Sequence, residues 1–201
     1  MQRLRETGAS KTGRGCLVLF ALLWTSFSVF WTYAAWRGGG GISALFGVPF
    51  IAIGIALLIG GFWRTIAGVR IGRPELSVSK DVLRPGETFF ARYQQSFRTP
   101  IDILENKVEL LFRETAIYRR GTDTYTEVHE EVLDFFESPT GHFDAGETTR
   151  SEGELKIPQA GMHTFTGNHN KLQWILRVKV NAQGWPDVSD EFELTVPAEG
   201  F

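Results

Sequence analysis

The chain of 201 residues has very little cysteine, with one Cys and two Met. A single cysteine excludes an intrachain disulfide framework and a cysteine-rich zinc site. Acidic residues are almost missing from the N-terminal third, because Glu6 is the one acidic residue before Glu75. Residues 1–73 therefore sum to +7, whereas residues 74–201 sum to −9. This division predicts two parts of different chemistry and argues against nucleic-acid binding by the acidic part, which would repel phosphates.

Two long apolar runs, residues 15–36 and 42–63, lie in the basic part with Arg37 as their one intervening charge. Each run would form a helix of about 33 Å, enough to cross a hydrocarbon core of roughly 30 Å. Pro49 in the second run is expected to kink its helix without preventing the crossing. The sequence predicts a transmembrane hairpin over 15–63, with its turn at 37–41.

Basic residues flank the hairpin on both sides, in a tail over residues 1–14 and a juxtamembrane linker over residues 64–73. The positive-inside rule then predicts a multi-pass protein of the plasma (inner) membrane, with both termini cytoplasmic. Arg64, Arg70 and Arg73 are also candidates for contact with anionic lipid headgroups. The rival interpretation, a cleaved signal peptide, fits less well because the first run is long for one and a second run follows.

Small residues recur along both runs at spacings that place each set on one helix face. Small side chains let helix backbones approach closely, and hydroxyls can form hydrogen bonds across a membrane interface. The pattern predicts that the two helices pack on each other, and it leaves a homo-oligomer or a membrane partner open for the remaining small face. The first run carries one set, Ala21, Thr25, Ser28, Thr32 and Ala35. The second run carries two sets, one with a spacing of seven (Gly47, Gly54 and Gly61) and one with a spacing of four (Ala52, Ala56 and Gly60).

From Pro74 to the end of the chain, apolar and polar residues alternate with the period of β-strands. The pattern is clearest over residues 107–113, 172–180 and 191–196, and weaker over 75–79, 88–94, 125–135, 154–157 and 163–166. Turn residues separate these segments, and no amphipathic helical stretch interrupts them. The sequence therefore predicts one all-β antiparallel, immunoglobulin-like sandwich over residues 74–201.

Three segments of this domain resemble arrestin-like β-sandwiches. The first is residues 75–94, with a Pro-Gly-Glu turn between two strands. The second is residues 155–180, in which Ile-Pro is followed by Phe-Thr-Gly and then by a strand centred on Trp174. The third is the closing strand, residues 192–196. The chain is also similar to bacterial membrane proteins that join two transmembrane helices to such a sandwich. The resemblance implies a non-enzymatic binding or scaffolding role and supplies no catalytic residues. Arrestins proper pair two sandwiches, so their receptor-binding geometry is not implied for one.

Reactive groups are scattered in the sequence and form no recognised catalytic motif. No G-x-S-x-G and no phosphate-binding loop occurs, and the four histidines lack the i, i+4 spacing of a helical zinc motif. The sequence therefore predicts no catalytic residue, metal or cofactor. The alternative is a membrane-bound hydrolase or metal-dependent enzyme that uses the loop His142–Glu147, with Asp144 among its ligands, together with His163 or His169.

The leading hypothesis is a membrane-anchored scaffolding module whose cytosolic sandwich binds a protein partner. A further alternative is an auxiliary subunit of a transporter complex, with the small residues of the hairpin as its working surface. Trp185, in a turn before the last strand, either caps the core or contacts a partner. Sandwich edge strands can also recruit an extended peptide.

Overall fold

The computed structural model describes residues 1–4, 9–39, 41–80 and 82–198. The chain divides into two compact units, a helical unit of residues 8–68 and a sandwich unit of residues 1–7 and 69–201. The sandwich unit thus includes the start of the chain, which the sequence assigned to a tail.

The helical unit contains α1 (Ala9–Arg37), the short α2 (Gly41–Leu45) and α3, which begins at Gly47 and continues to Ile71 in the sandwich unit. The second apolar run is therefore split at Phe46. Pro49 lies in the first turn of α3, where a helix makes no use of the backbone N–H, and the residue four positions before it, Leu45, is the last of α2. The run is therefore interrupted just before the proline, where the sequence predicted a kink in a continuous helix.

One of the described helices is long and apolar enough to cross a membrane. This is the Val18–Arg37 part of α1, with 20 residues, a mean hydropathy of 1.5 and 11% of the segment buried. The apolar part of α3, Gly47–Gly61, is shorter than a usual span because α2 and α3 divide the run. The helices alone therefore do not establish the predicted two-span hairpin.

The sandwich unit has two sheets, whose strand ladders all run antiparallel. One sheet has the order β1-β2-β3-β7; the other has the order β10-β9-β4-β5, with β6 beside β4 and β8 beside β9. The predicted antiparallel sandwich is confirmed. The strands are β1 (Gln2–Arg3), β2 (Glu75–Val78), β3 (Thr88–Ser96), β4 (Ile101–Arg120), β5 (Asp123–Glu137), β6 (Gly141–Phe143), β7 (Thr148–Lys156), β8 (Phe165–Thr166), β9 (Asn170–Ala182) and β10 (Val188–Leu194).

The core lies between the two sheets, where alternate residues of the strands are buried. Trp174 on β9 and Phe89 on β3 are each 1% exposed, and the indole Nε1 of Trp174 donates to the carbonyl of Met162 at 2.8 Å. Tyr93 on β3 faces Asn106 and Asp190 of the other sheet, and burial raises the pKa of its phenol. These alternating contacts explain why period-two patterning predicted the strands.

Three elements differ from the sequence prediction. Residues 2–3 form a strand instead of belonging to a free tail, and α3 extends through most of the predicted linker. The segment 141–143, for which the sequence predicts no strand, pairs with Ile101–Ile103 as β6. Strands as short as β1 and β6 carry no detectable alternation, so only tertiary pairing defines them.

The β4–β5 hairpin is also longer than predicted. Alternation on β4 is visible only up to Arg113, yet the strand continues to Arg120 and turns at Gly121, which has φ 68. Beyond the core both faces of the hairpin meet solvent, so the sequence loses its apolar–polar period there.

Candidate functional site

The C-terminal end of α3 is built into the sandwich unit. Ile71 is fully buried, and its carbonyl accepts a hydrogen bond from Nε2 of Gln95 at 3.0 Å. The carbonyl of Arg70 accepts one from the backbone N–H of Arg98 at 3.0 Å. Gly72 has φ 78, and a Cβ there would collide with the carbonyl oxygen of Ser96. These bonds satisfy carbonyls that a helix end leaves free, so the last residues of α3, which belong to the sandwich unit, are packed within that unit.

The chain segment before α1 joins the same sheet. Gln2 and Arg3 pair with Val78 and Ser77 of β2, and the N–H of Leu4 donates to the carbonyl of Leu76 at 2.9 Å. The helical unit is thus enclosed, in sequence, between β1 and β2, which are neighbours in one sheet.

Two residues that the sequence singled out separately lie together at this junction. The guanidinium of Arg70 lies 4.8 Å from the ring centroid of Trp185, in cation–π geometry. Trp185 is half-buried in the turn between β9 and β10, and Arg70 and Arg73 are exposed. The side chain of Arg64 lies outside the described side chains.

Within the helical unit, the small residues of α1 face one of the two sets on α3. Ala21 and Ser28 are buried, Ala35 is half-buried, and a Cβ at Gly54 would collide with the hydroxyl of Thr25. A Cβ at Gly47 would likewise collide with the hydroxyl of Thr32, so both positions require glycine. Gly61 is buried as well.

The hydroxyls on α1 form hydrogen bonds within their own helix. Each donates to the backbone carbonyl four residues earlier: Thr25 to that of Ala21 at 2.7 Å, Ser28 to that of Trp24 at 2.8 Å, and Thr32 to that of Ser28 at 2.7 Å. Four-residue bonds of this kind satisfy a hydroxyl without a partner helix. The second set on α3 points elsewhere, because Ala52, Ala56 and Gly60 are exposed.

The histidines and carboxylates do not converge. Nδ1 of His142 lies 2.8 Å from Oδ1 of Asp102, and this hydrogen bond raises the pKa of His142. Glu147 accepts a hydrogen bond from the backbone N–H of Asp144 at 2.8 Å. Within residues 1–4, 9–39, 41–80 and 82–198, no three side chains of the metal-binding types come together.

A ring of alternating charges lies on the outer face of the six-stranded sheet. Arg113 contacts Glu191 at 2.7 Å and Glu130 at 2.6 Å, and Arg177 contacts the same two carboxylates at 2.9 and 2.6 Å. The ring joins β4, β5, β9 and β10. Burial by itself would raise the pKa of Glu191, but the hydrogen bonds from Arg113 and Arg177 outweigh it and lower that pKa. The same opposition lowers the pKa of Glu130. The ring is neutral and internally satisfied, which indicates a structural role.

Comparison with known proteins identifies no family for this chain. No protein-family model and no curated protein matches the sequence. Among solved structures, the crystal structure of the sporulation control protein Spo0M from Bacillus subtilis is similar, with a TM-score of 0.48 and 19% identity. The match covers 64% of this chain and 51% of that chain, so the chain spans about half the length of this neighbour.

Proposed function

We propose that the protein is a membrane-anchored, non-enzymatic interaction module. In this proposal the helical unit crosses the plasma (inner) membrane twice, and an arrestin-like sandwich on the cytoplasmic side binds another protein. The observation that carries the proposal is the attachment of both ends of the helical unit to one sheet.

That attachment restricts the number of membrane crossings. β1 precedes the helices and β2 follows them, and the two strands are paired. An odd number of crossings would place paired strands on opposite sides of the bilayer. If α1 crosses, the chain must therefore return through α2 and α3, even though α3 has a short apolar part.

The helical unit has an apolar surface of the kind a bilayer accommodates. On α1, Phe27, Phe30 and Trp31 are 66%, 67% and 62% exposed, and on α3 Ile59 is 60% exposed. Contiguous apolar surface of this extent is rare on soluble monomers. The uncharged stretch of α3, from Gly47 to Trp63, covers about 26 Å at 1.5 Å per residue, and local thinning of the bilayer accommodates such a mismatch at modest cost.

Charge supports the cytoplasmic side for the sandwich. The basic residues of the N-terminal third flank the apolar runs, and positive flanks remain in the cytoplasm. Arg70 and Arg73 then lie where anionic headgroups are expected, each contributing roughly 1 kcal/mol to membrane attraction. The pairing of Arg70 with Trp185 supports a headgroup contact at this end of the sandwich unit.

The existence of a protein partner is tested by crosslinking the full-length protein in its native membrane and identifying the proteins crosslinked to it. A matched sample contains the helical unit alone, residues 8–68. A partner retained by the full chain and lost from the helical unit supports the proposal. Recovery of background proteins alone from the full chain would contradict it.

A second candidate function, an auxiliary subunit of a transporter complex, is favoured by one observation. Ala52, Ala56 and Gly60 form an exposed small-residue face on α3 that α1 does not cover. Under this alternative, Ala52→Leu with Ala56→Leu breaks the complex while the sandwich stays folded. A crosslinked partner unaffected by these substitutions argues against it.

A further inference from the structure

β5 forms one edge of the six-stranded sheet, and most of that edge is open. Every residue from Asp123 to Val132 is exposed. Only the C-terminal end of the strand approaches β7, where the carboxylate of Asp134 accepts a hydrogen bond from the backbone N–H of Lys156 at 3.1 Å. In the described part of the chain, no backbone hydrogen bond other than those to β4 involves residues 124–132.

The backbone groups that point to this open edge can be identified from the register. The N–H of Ile117 donates to the carbonyl of His169 on the β9 side, at 2.6 Å. The backbone N–H and C=O groups of successive residues in a strand point to alternate sides. Those of Tyr118 therefore point to β5, where its register partner is Tyr125. On β5 the residues alternate in turn, and those whose N–H and C=O groups face outward are Thr124, Thr126, Val128 and Glu130.

The other sheet edges offer less room. β10 has seven residues, Val188–Leu194, and beyond it the carbonyls of Thr195 and Val196 accept hydrogen bonds from the N–H groups of Leu83 and Thr164, at 3.2 and 2.7 Å. β1 has two residues, and β7 lies beside the C-terminal end of β5. The stretch 123–132 is therefore the longest free edge among the described strands.

The charge of this edge has one sign. β5 contains six acidic residues and no Lys or Arg. Glu130 is already neutralised by Arg113 and Arg177 on the outer face. Glu127 and Glu131 lie on the opposite face, on either side of His129, and no salt bridge from a described Lys or Arg reaches either of them. The outer face presents apolar surface instead, with Val128 55% and Val132 48% exposed.

We propose that the open edge of β5 binds an extended, basic segment of a partner protein as an added strand. The segment alternates, with Lys or Arg facing Glu127 and Glu131 and β-branched residues facing Val128 and Val132. Cross-strand pairs of opposite charge stabilise such pairing, and like charges oppose it. A second copy of β5 would bring acid against acid, so the charge favours a different chain as the occupant.

The inference rests on the proposed interaction role and names the chemical class of its partner. It does not depend on membrane topology. If the partner binds elsewhere on the sandwich, crosslinking still recovers it and only the edge proposal fails. The two failures are therefore distinguishable.

The test uses the full-length protein in lipid nanodiscs and a synthetic peptide in which lysine alternates with valine. Amide hydrogen exchange is followed with and without the peptide. Binding should slow exchange at Thr124, Thr126, Val128 and Glu130 and leave Tyr125, Glu127 and His129, already bonded to β4, nearly unchanged. A control peptide with glutamate in place of lysine should not protect these amides. The proposal would be overturned if the lysine peptide failed to protect alternate amides, or if the glutamate peptide protected them equally.

Two variants separate strand addition from loss of folding. Val128→Pro removes an outward N–H that the β4–β5 ladder does not use, so the hairpin should persist while peptide protection is lost. Val128→Ala keeps the N–H and should keep the protection. Glu127→Lys with Glu131→Lys should weaken peptide binding about tenfold or more, because two favourable charge pairs become repulsive. A basic partner would be contradicted if the double variant bound the lysine peptide at full strength. It would also be contradicted if the β5 amides became protected without peptide as the protein concentration rose, because a second copy would then be the occupant.

Discussion

The two units use apolar residues in opposite ways. In the sandwich unit Trp174 is 1% exposed and lies 5.0 Å from the ring of Phe112, whereas Trp31 in the helical unit is 62% exposed. In the helical unit the buried positions are small, such as Ala21, Gly54 and Ser28. The sandwich unit places large apolar side chains inside and charge outside, whereas the described part of the helical unit places small side chains inside and large apolar side chains outside. This inversion is expected where the surroundings of the helices are lipid and those of the sandwich are water.

The largest expected effect comes from the same substitution made in both units. Trp174→Ala removes a buried indole and its hydrogen bond to Met162, so the free energy of unfolding of the sandwich should fall by about 3–5 kcal/mol. Trp31→Ala removes an exposed side chain and should leave this unfolding energy nearly unchanged. Denaturant unfolding of the full-length protein in detergent, followed by near-ultraviolet circular dichroism, measures both. Similar losses for the two variants would contradict the inversion.

A smaller effect separates two glycines of α3. Gly54→Ala would force a methyl group against Thr25 of α1, and overpacking of this kind costs about 1–3 kcal/mol. Gly60→Ala meets no atom within 4 Å and should be neutral or slightly stabilising, because alanine favours helix. Thermal melting of the helical signal in detergent measures the difference. If Gly60→Ala were the more damaging variant, the assigned packing face would be wrong.

The charge ring should make the sandwich sensitive to acid. Hydrogen bonds from Arg113 and Arg177 outweigh burial and hold the folded-state pKa of Glu191 below its ordinary value. A lowered folded-state pKa stabilises the protein above the unfolded pKa, and this contribution is lost as pH falls through the folded pKa. Glu191→Gln should cost roughly 1–3 kcal/mol near neutral pH and show a smaller further loss in acid. Unfolding curves over an acid series measure this, and parallel pH dependence in both proteins would contradict it.

The smallest effect concerns His142. Its hydrogen bond to Asp102 raises its folded-state pKa, so any stabilisation is present below the unfolded pKa and lost as pH rises through the folded pKa. Nuclear magnetic resonance titration of the His142 ring should show a pKa above its ordinary value. Asp102→Asn should bring the pKa of His142 back toward the ordinary histidine range. A ring unaffected by Asp102→Asn would show that the contact is absent in solution.

The comparison of the two units also explains what the sequence could predict. Period-two alternation located the main strands because each has one wet and one buried face, as in residues 172–180 on β9. Small-residue spacing likewise separated the set at Gly47 and Gly54, which faces α1, from the set at Ala52 and Ala56. Patterns of this kind are local, so they can be read from one chain.

Features created by tertiary pairing could not be predicted in this way. β1 has two residues and is defined only by its pairing with β2, and the contact of Arg70 with Trp185 joins distant parts of the chain. The open edge of β5 depends on strand order, which alternation does not specify. The break at Phe46 was missed because hydropathy counts residues and does not register where a helix restarts.

The central claim is that both ends of the helical unit lie on one side of the membrane, with the α1–α2 turn on the other. Single cysteines at Gln2, Gly41 and Asp187, each introduced into a Cys16→Ser background, report it through a membrane-impermeant thiol reagent added to intact cells. The account predicts labelling at Gly41 from outside, and labelling at Gln2 and Asp187 only after the membrane is opened. Different accessibility of Gln2 and Asp187, or equal accessibility of all three, would contradict it.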